Sequence, residues 1–225
     1  MPTTTSDGKG SRIFCISMQR SGTTSVGKFF RDCGLKWAGW PADEANDWSG
    51  SWYKGDYEAI FASKDFRAAN AFEDSPWWLP GFYRILFNRF PGSRFVLLTR
   101  DPDAWFQSMM RHSAGNVIGN ARIHCTIYRR ELEYLGLLYR GEIDEKIENQ
   151  IYSEKTLKIT PAHAEHYKAI YRLHNTEVRE FFDSNAPGSL HVGELDDHAK
   201  WQRLGKFIGV QVPAGYESHE NRSLR

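Results

Sequence analysis

The segment Arg20-Ser21-Gly22-Thr23-Thr24-Ser25 packs a cation, a residue without a Cβ and a run of hydroxyls into six positions. At the start of a helix, free backbone N–H groups and the helix dipole attract an anion. Gly22 lets the backbone approach a ligand closely. Arg20 offers charge-assisted, bidentate hydrogen bonds to phosphate or sulfonate oxygens. The same hydroxyls also suit a plain helix N-cap, so the loop by itself leaves both readings open. A shifted register, Gly22 to Phe29, nearly spells the nucleotide-binding pattern G-x-x-x-x-G-K-[ST]. Phe29 stands where the Mg²⁺-binding hydroxyl belongs, and the clearest apolar strand, RFVLLT, ends in Thr99-Arg100, a cation where an acid would be needed to support a metal. In this reading Gly27 and Lys28 lie inside the helix, as packing or solvated residues. A second chemical candidate is Glu73-Asp74-Ser75-Pro76, where adjacent carboxylates raise one another's pKa and so suit a base working near neutrality. A helix N-cap before Pro76 is the plainer alternative.

These groups need elements to hold them. Residues 12–17 (RIFCIS) are short and apolar and read as a buried strand. Residues 23–33 follow as a helix, with Val26, Phe29 and Phe30 at helical spacing and a stop near Gly34. Residues 37–55, rich in Trp, Gly, Asp and Ser, are expected to be a long irregular excursion. Residues 57–69 are partly helical, 69–72 a short strand and 79–90 a helix. RFVLLT at 94–99 is the clearest buried strand, and Pro102 opens a helix after it, at a first turn where its missing N–H does no harm. Long helices are expected over 121–139 and 161–182, with a charged, exposed stretch at 141–158. A last strand at 189–192 precedes a helix over 196–208 that turns Trp201 and Leu204 inward. This alternation predicts an α/β fold: a mostly parallel sheet with helices on both faces. Ligands in such folds sit beyond the carboxyl ends of the strands. The loops at Arg20 and at Arg100 both follow strands at that edge.

The chain resembles the PAPS-dependent sulfotransferase family, whose donor is 3′-phosphoadenosine-5′-phosphosulfate. Three segments carry the resemblance. Arg20-Ser21-Gly22-Thr23-Thr24 resembles the 5′-phosphosulfate loop. Arg100-Asp101-Pro102, with Ser108 eight residues after the Arg, resembles the 3′-phosphate element. Trp201-Gln202-Arg203-Leu204-Gly205-Lys206-Phe207-Ile208-Gly209 resembles a W-x-x-L-x-x-F-[LI]-G run near the family's C-terminus. The likeness runs from Arg12 to the C-terminus, with residues 113–160 unanchored. It implies a P-loop NTPase-like three-layer sandwich, a PAPS donor site built from Arg20 to Ser25 with Arg100 and Ser108, and no required metal. Two helical turns separate Arg100 from Ser108, so both can face one phosphate; an ion pair between Arg100 and Asp101 is the structural alternative. Glu73-Asp74-Ser75-Pro76 is similar to the E-K-[ST]-P segment of carbohydrate-acting members, with Asp74 where Lys is usual. That implies Glu73 as general base, while another branch selects Asp74. A His base, as in the aryl and alkyl branch, points to His112, which here follows the 3′-phosphate element instead of preceding it. Arg20 is expected to stabilise charge on the departing bisphosphate, and Arg222 lies in a C-terminal HENRS run that could reach the donor. A P-loop kinase and a catalytically idle nucleotide-binding relative are the rival readings.

Bulk properties set the frame. The chain has 225 residues, 40% hydrophobic and 25% charged, which is ordinary for a globular domain. One domain over residues 1–225 is expected, with 1–11 as a disordered tail. A formal net charge of +1 gives no general attraction to nucleic acid or to an anionic membrane. No run approaches the ~20 apolar residues of a membrane span. Cys15, Cys33 and Cys125 are too few for a disulfide framework and fit a reducing, cytoplasmic setting. His124 beside Cys125, and His163 with His166, lack further ligands at zinc spacing and read as helix-surface residues. Trp37, Trp40, Trp48, Trp52, Trp77 and Trp78 flank the carboxylates. Trp105 and Trp201 belong to the core, whereas Trp40, Trp48 and Trp52 are open between core and a site for a small-molecule, lipid or carbohydrate acceptor.

Overall fold

The computed structural model describes residues 11–112, 121–143 and 157–218. Arg222 and residues 1–10 of the expected 1–11 tail lie outside them, as does most of the 141–158 stretch. In chain order the elements are β1 (Ile13–Cys15), α1 (Thr23–Asp32), β2 (Trp37–Ala38), α2 (Trp40–Asn46), α3 (Trp48–Lys54), α4 (Tyr57–Ala62), α5 (Lys64–Ala68) and β3 (Ala71–Phe72). Then come α6 (Phe82–Arg89), β4 (Arg94–Thr99), α7 (Pro102–His112), α8 (Ala121–Ile127), α9 (Glu131–Tyr139), α10 (Ala164–Asn185), β5 (Leu190–Glu194) and α11 (Lys200–Ile208).

The strands form one parallel sheet in the order β2-β3-β1-β4-β5. Period-2 alternation sends Phe14, Phe72, Phe95 and Leu97 to one face, where they meet Ile60, Phe61, Phe82 and Leu86 with Val178 and Phe182 of α10. Ile13, Cys15, Ala71, Val96 and Leu98 go to the other face and meet Val26, Phe29 and Phe30 of α1 with Trp201, Leu204 and Ile208 of α11. Helices therefore cover both faces, and the three-layer α/β architecture expected from the strand–helix alternation is present. A third cluster, with Met18, Trp78, Trp105, Met109, Tyr128 and Tyr171, joins α7, α8 and α10.

Two expectations need correction. Residues 37–55 are not irregular: they hold the edge strand β2 and two short helices. Asp43 in α2 accepts hydrogen bonds from the Ser49 backbone N–H and hydroxyl, both at 2.7 Å. Those bonds replace the periodic apolar pattern as the organising force, so periodicity does not reveal the helices. Residues 121–139 are not one helix either. Arg129 takes a left-handed φ of 53°, and Arg130 turns inward to bond Leu157 O and the Tyr167 hydroxyl. Burying that guanidinium with its partners outweighs helix continuity.

Candidate active site

The strand order decides which loops meet. β3, β1 and β4 are neighbours, so the residues just past their carboxyl ends share one edge: Glu73-Asp74 after β3, Gln19 to Ser25 after β1, and Arg100-Asp101 after β4. Parallel α/β sheets place ligands at such a crevice.

The first loop is tightly built. Arg20 and Gly22 both take left-handed backbone, at φ 66° and 86°. The left-handed backbone at position 22 favours Gly, and a Cβ there would also lie 2.5 Å from Leu195 Cδ1. α1 starts directly after it with no side-chain cap; the hydroxyls of the loop are not an ordinary N-cap. Ser21, Thr23 and Ser25 are buried, and Thr24 is exposed. Ser218 bonds Ser25 O at 3.0 Å, bringing the end of the described chain back against α1.

Arg20 and Arg100 lie together. Arg100 Nη1 donates to Arg20 O at 3.3 Å. Arg20 Nε donates to Ser108 Oγ at 3.2 Å, and its Nη1 lies 3.4 Å from His112 Nδ1. Burial, then the charge of Arg100, pulls the Arg20 pKa below its ordinary value. The expected Arg100–Asp101 ion-pair alternative is absent among the described residues, since Asp101 instead accepts from Ala104 N and caps α7. Arg100 Nε is buried without a partner. His112 contacts Arg20 and is held below its usual pKa by burial and by that cation.

The two carboxylates separate in role by position. Glu73 is 3% exposed and fills a slot between α1 and the β2 loop. A Cβ on Gly27 or Gly39 would fall 2.7 or 2.2 Å from its Oε1. Burial, and secondarily Asp74, pushes its pKa up to about 9, and its Oε2 has no hydrogen-bond partner. Asp74, in left-handed backbone at φ 66°, accepts from Ser75 N at 2.9 Å. Burial raises its pKa too; the hydrogen bond from Ser75 N and, to a smaller extent, the positive charge of Arg20 oppose the rise. Of the pair, Asp74 is the less buried and lies within reach of the charge of Arg20, while Glu73 is enclosed.

The rival nucleotide register does not form a site. Phe29 is fully buried and stacks on Trp201 at 5.1 Å. Lys28 pairs with Asp32 at 2.5 Å, one helical turn along. Among the histidines, His163 bonds Thr160, and His166 bonds Tyr128 O at 2.7 Å. His124 is half-buried, not a surface group, and burial lowers its pKa to about 4. Among the described residues no group of three His, Cys, Asp or Glu could hold a metal ion. Trp105 and Trp201 are core, as expected. Trp48 resolves to core as well, donating to Ser63 Oγ at 3.0 Å, while Trp40 is 54% exposed and Trp52 half-buried.

Three residues close to the site carry no signal in the sequence. Tyr171 of α10 reaches Arg100 and Ser21. Gln19 is held by Tyr128 and by the Trp105 indole. Arg111 adds its charge near Arg20. Each lies in an unremarkable helix or turn pattern; only the tertiary fold aims it.

The fold is a five-strand parallel α/β sheet with Arg20, Arg100 and Asp74 all past its carboxyl edge. The sulfotransferase domain matches the chain over residues 12–223, and the chain belongs to that family. No curated protein matches it. Among solved structures, a sulfotransferase from Alicyclobacillus acidocaldarius is similar at 15% identity with a TM-score of 0.47, covering 96% of this chain and 86% of the other. Among the described residues no helix is long and apolar enough to cross a membrane.

Proposed function

We propose that the protein moves a sulfuryl group from PAPS to a hydroxyl or amine of a small-molecule, lipid or carbohydrate acceptor. One observation carries this: Arg20, Arg100 and Asp74 lie past the carboxyl ends of three adjacent strands, and Arg100 bonds the backbone of Arg20. The residues fit the donor. Arg100, with a buried Nε lacking a partner, and Ser108 would hold the 3′-phosphate. Ser21, Thr23, Thr24 and Ser25, with the loop N–H groups and Gly22, would hold the 5′ end.

In the proposed reaction the acceptor oxygen or nitrogen bonds to sulfur as the bond from sulfur to the bridging oxygen breaks. Adenosine 3′,5′-bisphosphate leaves, and the acceptor proton passes to a carboxylate. Arg20 stabilises the charge that grows on the bridging oxygen. Asp74 supports the base role better than Glu73. A carboxyl with a pKa of about 9 is protonated at neutral pH and cannot accept a proton there. A sulfuryl group carries less negative charge than a phosphoryl group, so side-chain cations suffice without Mg²⁺. The three free cysteines suit a reducing, cytoplasmic setting.

The test is bisphosphate release from PAPS in EDTA across phenols, alcohols, sugars and amines. Acceptor-stimulated release is expected. Release that requires Mg²⁺, or turnover of ATP in place of PAPS, contradicts the proposal.

A further inference from the structure

α10 contributes Tyr167 and Tyr171 to the third hydrophobic cluster, and the hydroxyl of Tyr171 reaches from it to the site. Tyr171 is 1% exposed. Its hydroxyl accepts from the Arg100 backbone N–H at 3.0 Å and faces the Arg100 carbonyl at 3.4 Å. The same oxygen lies 3.4 Å from Ser21 Oγ. One phenol thus touches both anion loops, one following β1 and the other following β4. The ring is held flat on Trp105 of α7, with centroids 4.5 Å apart and planes 16° apart. The Trp105 indole N–H donates to Gln19 O at 2.9 Å, just ahead of Arg20. One turn further along α10, His174 Nε2 bonds Ile16 O at 2.9 Å. Burial lowers the His174 pKa to about 4, so the ring is neutral and can donate to that carbonyl at neutral pH.

We infer that Tyr171 is a positioning residue that sets the spacing between the Ser21 loop and the Arg100 loop, and so the fit to a ligand carrying two separated anionic groups. The inference rests on the donor reading above and adds to it the part that measures the distance between the two phosphate sites. A side chain fixed by packing on one side and by hydrogen bonds on the other is the kind of support that holds a site to sub-ångström tolerance. Neither Arg20 nor Arg100 can set this spacing alone, because each guanidinium sits on a flexible stem.

The test compares Tyr171→Phe, which keeps the stack on Trp105 and removes only the hydroxyl, with Tyr167→Phe. Tyr167 lies one turn earlier in α10, and its hydroxyl bonds Arg130 and touches neither loop. Calorimetry measures affinity for adenosine 3′,5′-bisphosphate and for adenosine 5′-phosphate, and thermal unfolding is followed in parallel. Tyr171→Phe is expected to reduce the preference for the bisphosphate about tenfold, the scale of one or two hydrogen bonds that act on a charged ligand. Tyr167→Phe is expected to leave the preference unchanged even if its Tm falls. Loss of affinity for both nucleotides in equal proportion in Tyr171→Phe, or an unchanged preference, overturns the inference. A wild-type protein that binds neither nucleotide refutes the donor reading instead, and the inference with it.

Discussion

The Arg100 guanidinium donates through Nη1 to the backbone oxygen of Arg20 at 3.3 Å. Eighty residues of chain separate the two, and the pairing of β1 with β4 brings them together. The two cations also feel each other, since the charge of Arg100 helps pull the Arg20 pKa down, and an anion beside them would relieve that repulsion. Under the proposed function, this is where the anionic donor would bind.

Arg100→Ala is expected to weaken adenosine 3′,5′-bisphosphate binding by about 10- to 100-fold, the scale of hydrogen bonds to a charged group. Binding of an analogue without the 3′-phosphate should change far less. Equal losses for both ligands in a titration would assign Arg100 a structural task only.

Asp74→Asn is expected to lower turnover by about 10²-fold or more, the usual scale for loss of a general base, with donor affinity nearly intact. Glu73→Gln, in contrast, should keep most of the activity, because the native side chain is already neutral at neutral pH. Steady-state kinetics with both variants distinguish the two. The reverse outcome would return the base role to Glu73, and activity retained in both would move it to His112.

Glu73 also predicts a stability signature. Its folded pKa, about 9, lies above its ordinary 4.5, so the folded state holds a proton that the unfolded state has lost. Its stabilising contribution is full below about 4.5 and is lost as pH rises toward 9. Wild-type Tm should fall across pH 5 to 9 relative to Glu73→Gln. Parallel curves for the two proteins would contradict the buried, protonated state.

Gly27→Ala tests the slot that holds Glu73. Alanine in a helix interior ordinarily adds up to ~1 kcal/mol over glycine. Here the three nearest neighbours of its Cβ would all be Glu73 atoms, at 2.7 to 2.9 Å, and the expected effect is a loss of ~1–3 kcal/mol. Adding Glu73→Ala should remove most of that penalty in a double-mutant cycle read by denaturant unfolding. Additive effects would mean that Glu73 does not fill the slot.

How far the sequence alone reached depends on the kind of force involved. β1, β4 and α1 are legible because apolar runs and helical spacing record burial, and the residues 94–99 strand matches to the residue. The tight turn into α1 at Arg20 to Ser25 is legible because Gly22 and the hydroxyls mark special backbone. The split of 121–139 was hidden because a buried Arg130 paired with Glu133 looks like a surface charge pair on paper. Asp74 and Glu73 look equivalent in a linear string. Only Gly27 and Gly39, distant in sequence, make room for Glu73 and leave Asp74 outside that slot. Tyr171 and Trp105 are ordinary core aromatics by pattern, and their polar ends acquire meaning only where α7 and α10 meet the loops.

The most direct measurement is calorimetric titration of the wild-type protein with adenosine 3′,5′-bisphosphate in EDTA, repeated with Arg20→Ala and Arg100→Ala. Saturable one-site binding without metal, weakened in both variants, is the predicted result. Absence of binding, or binding that appears only when Mg²⁺ is restored, contradicts a single donor site shared by the two arginines.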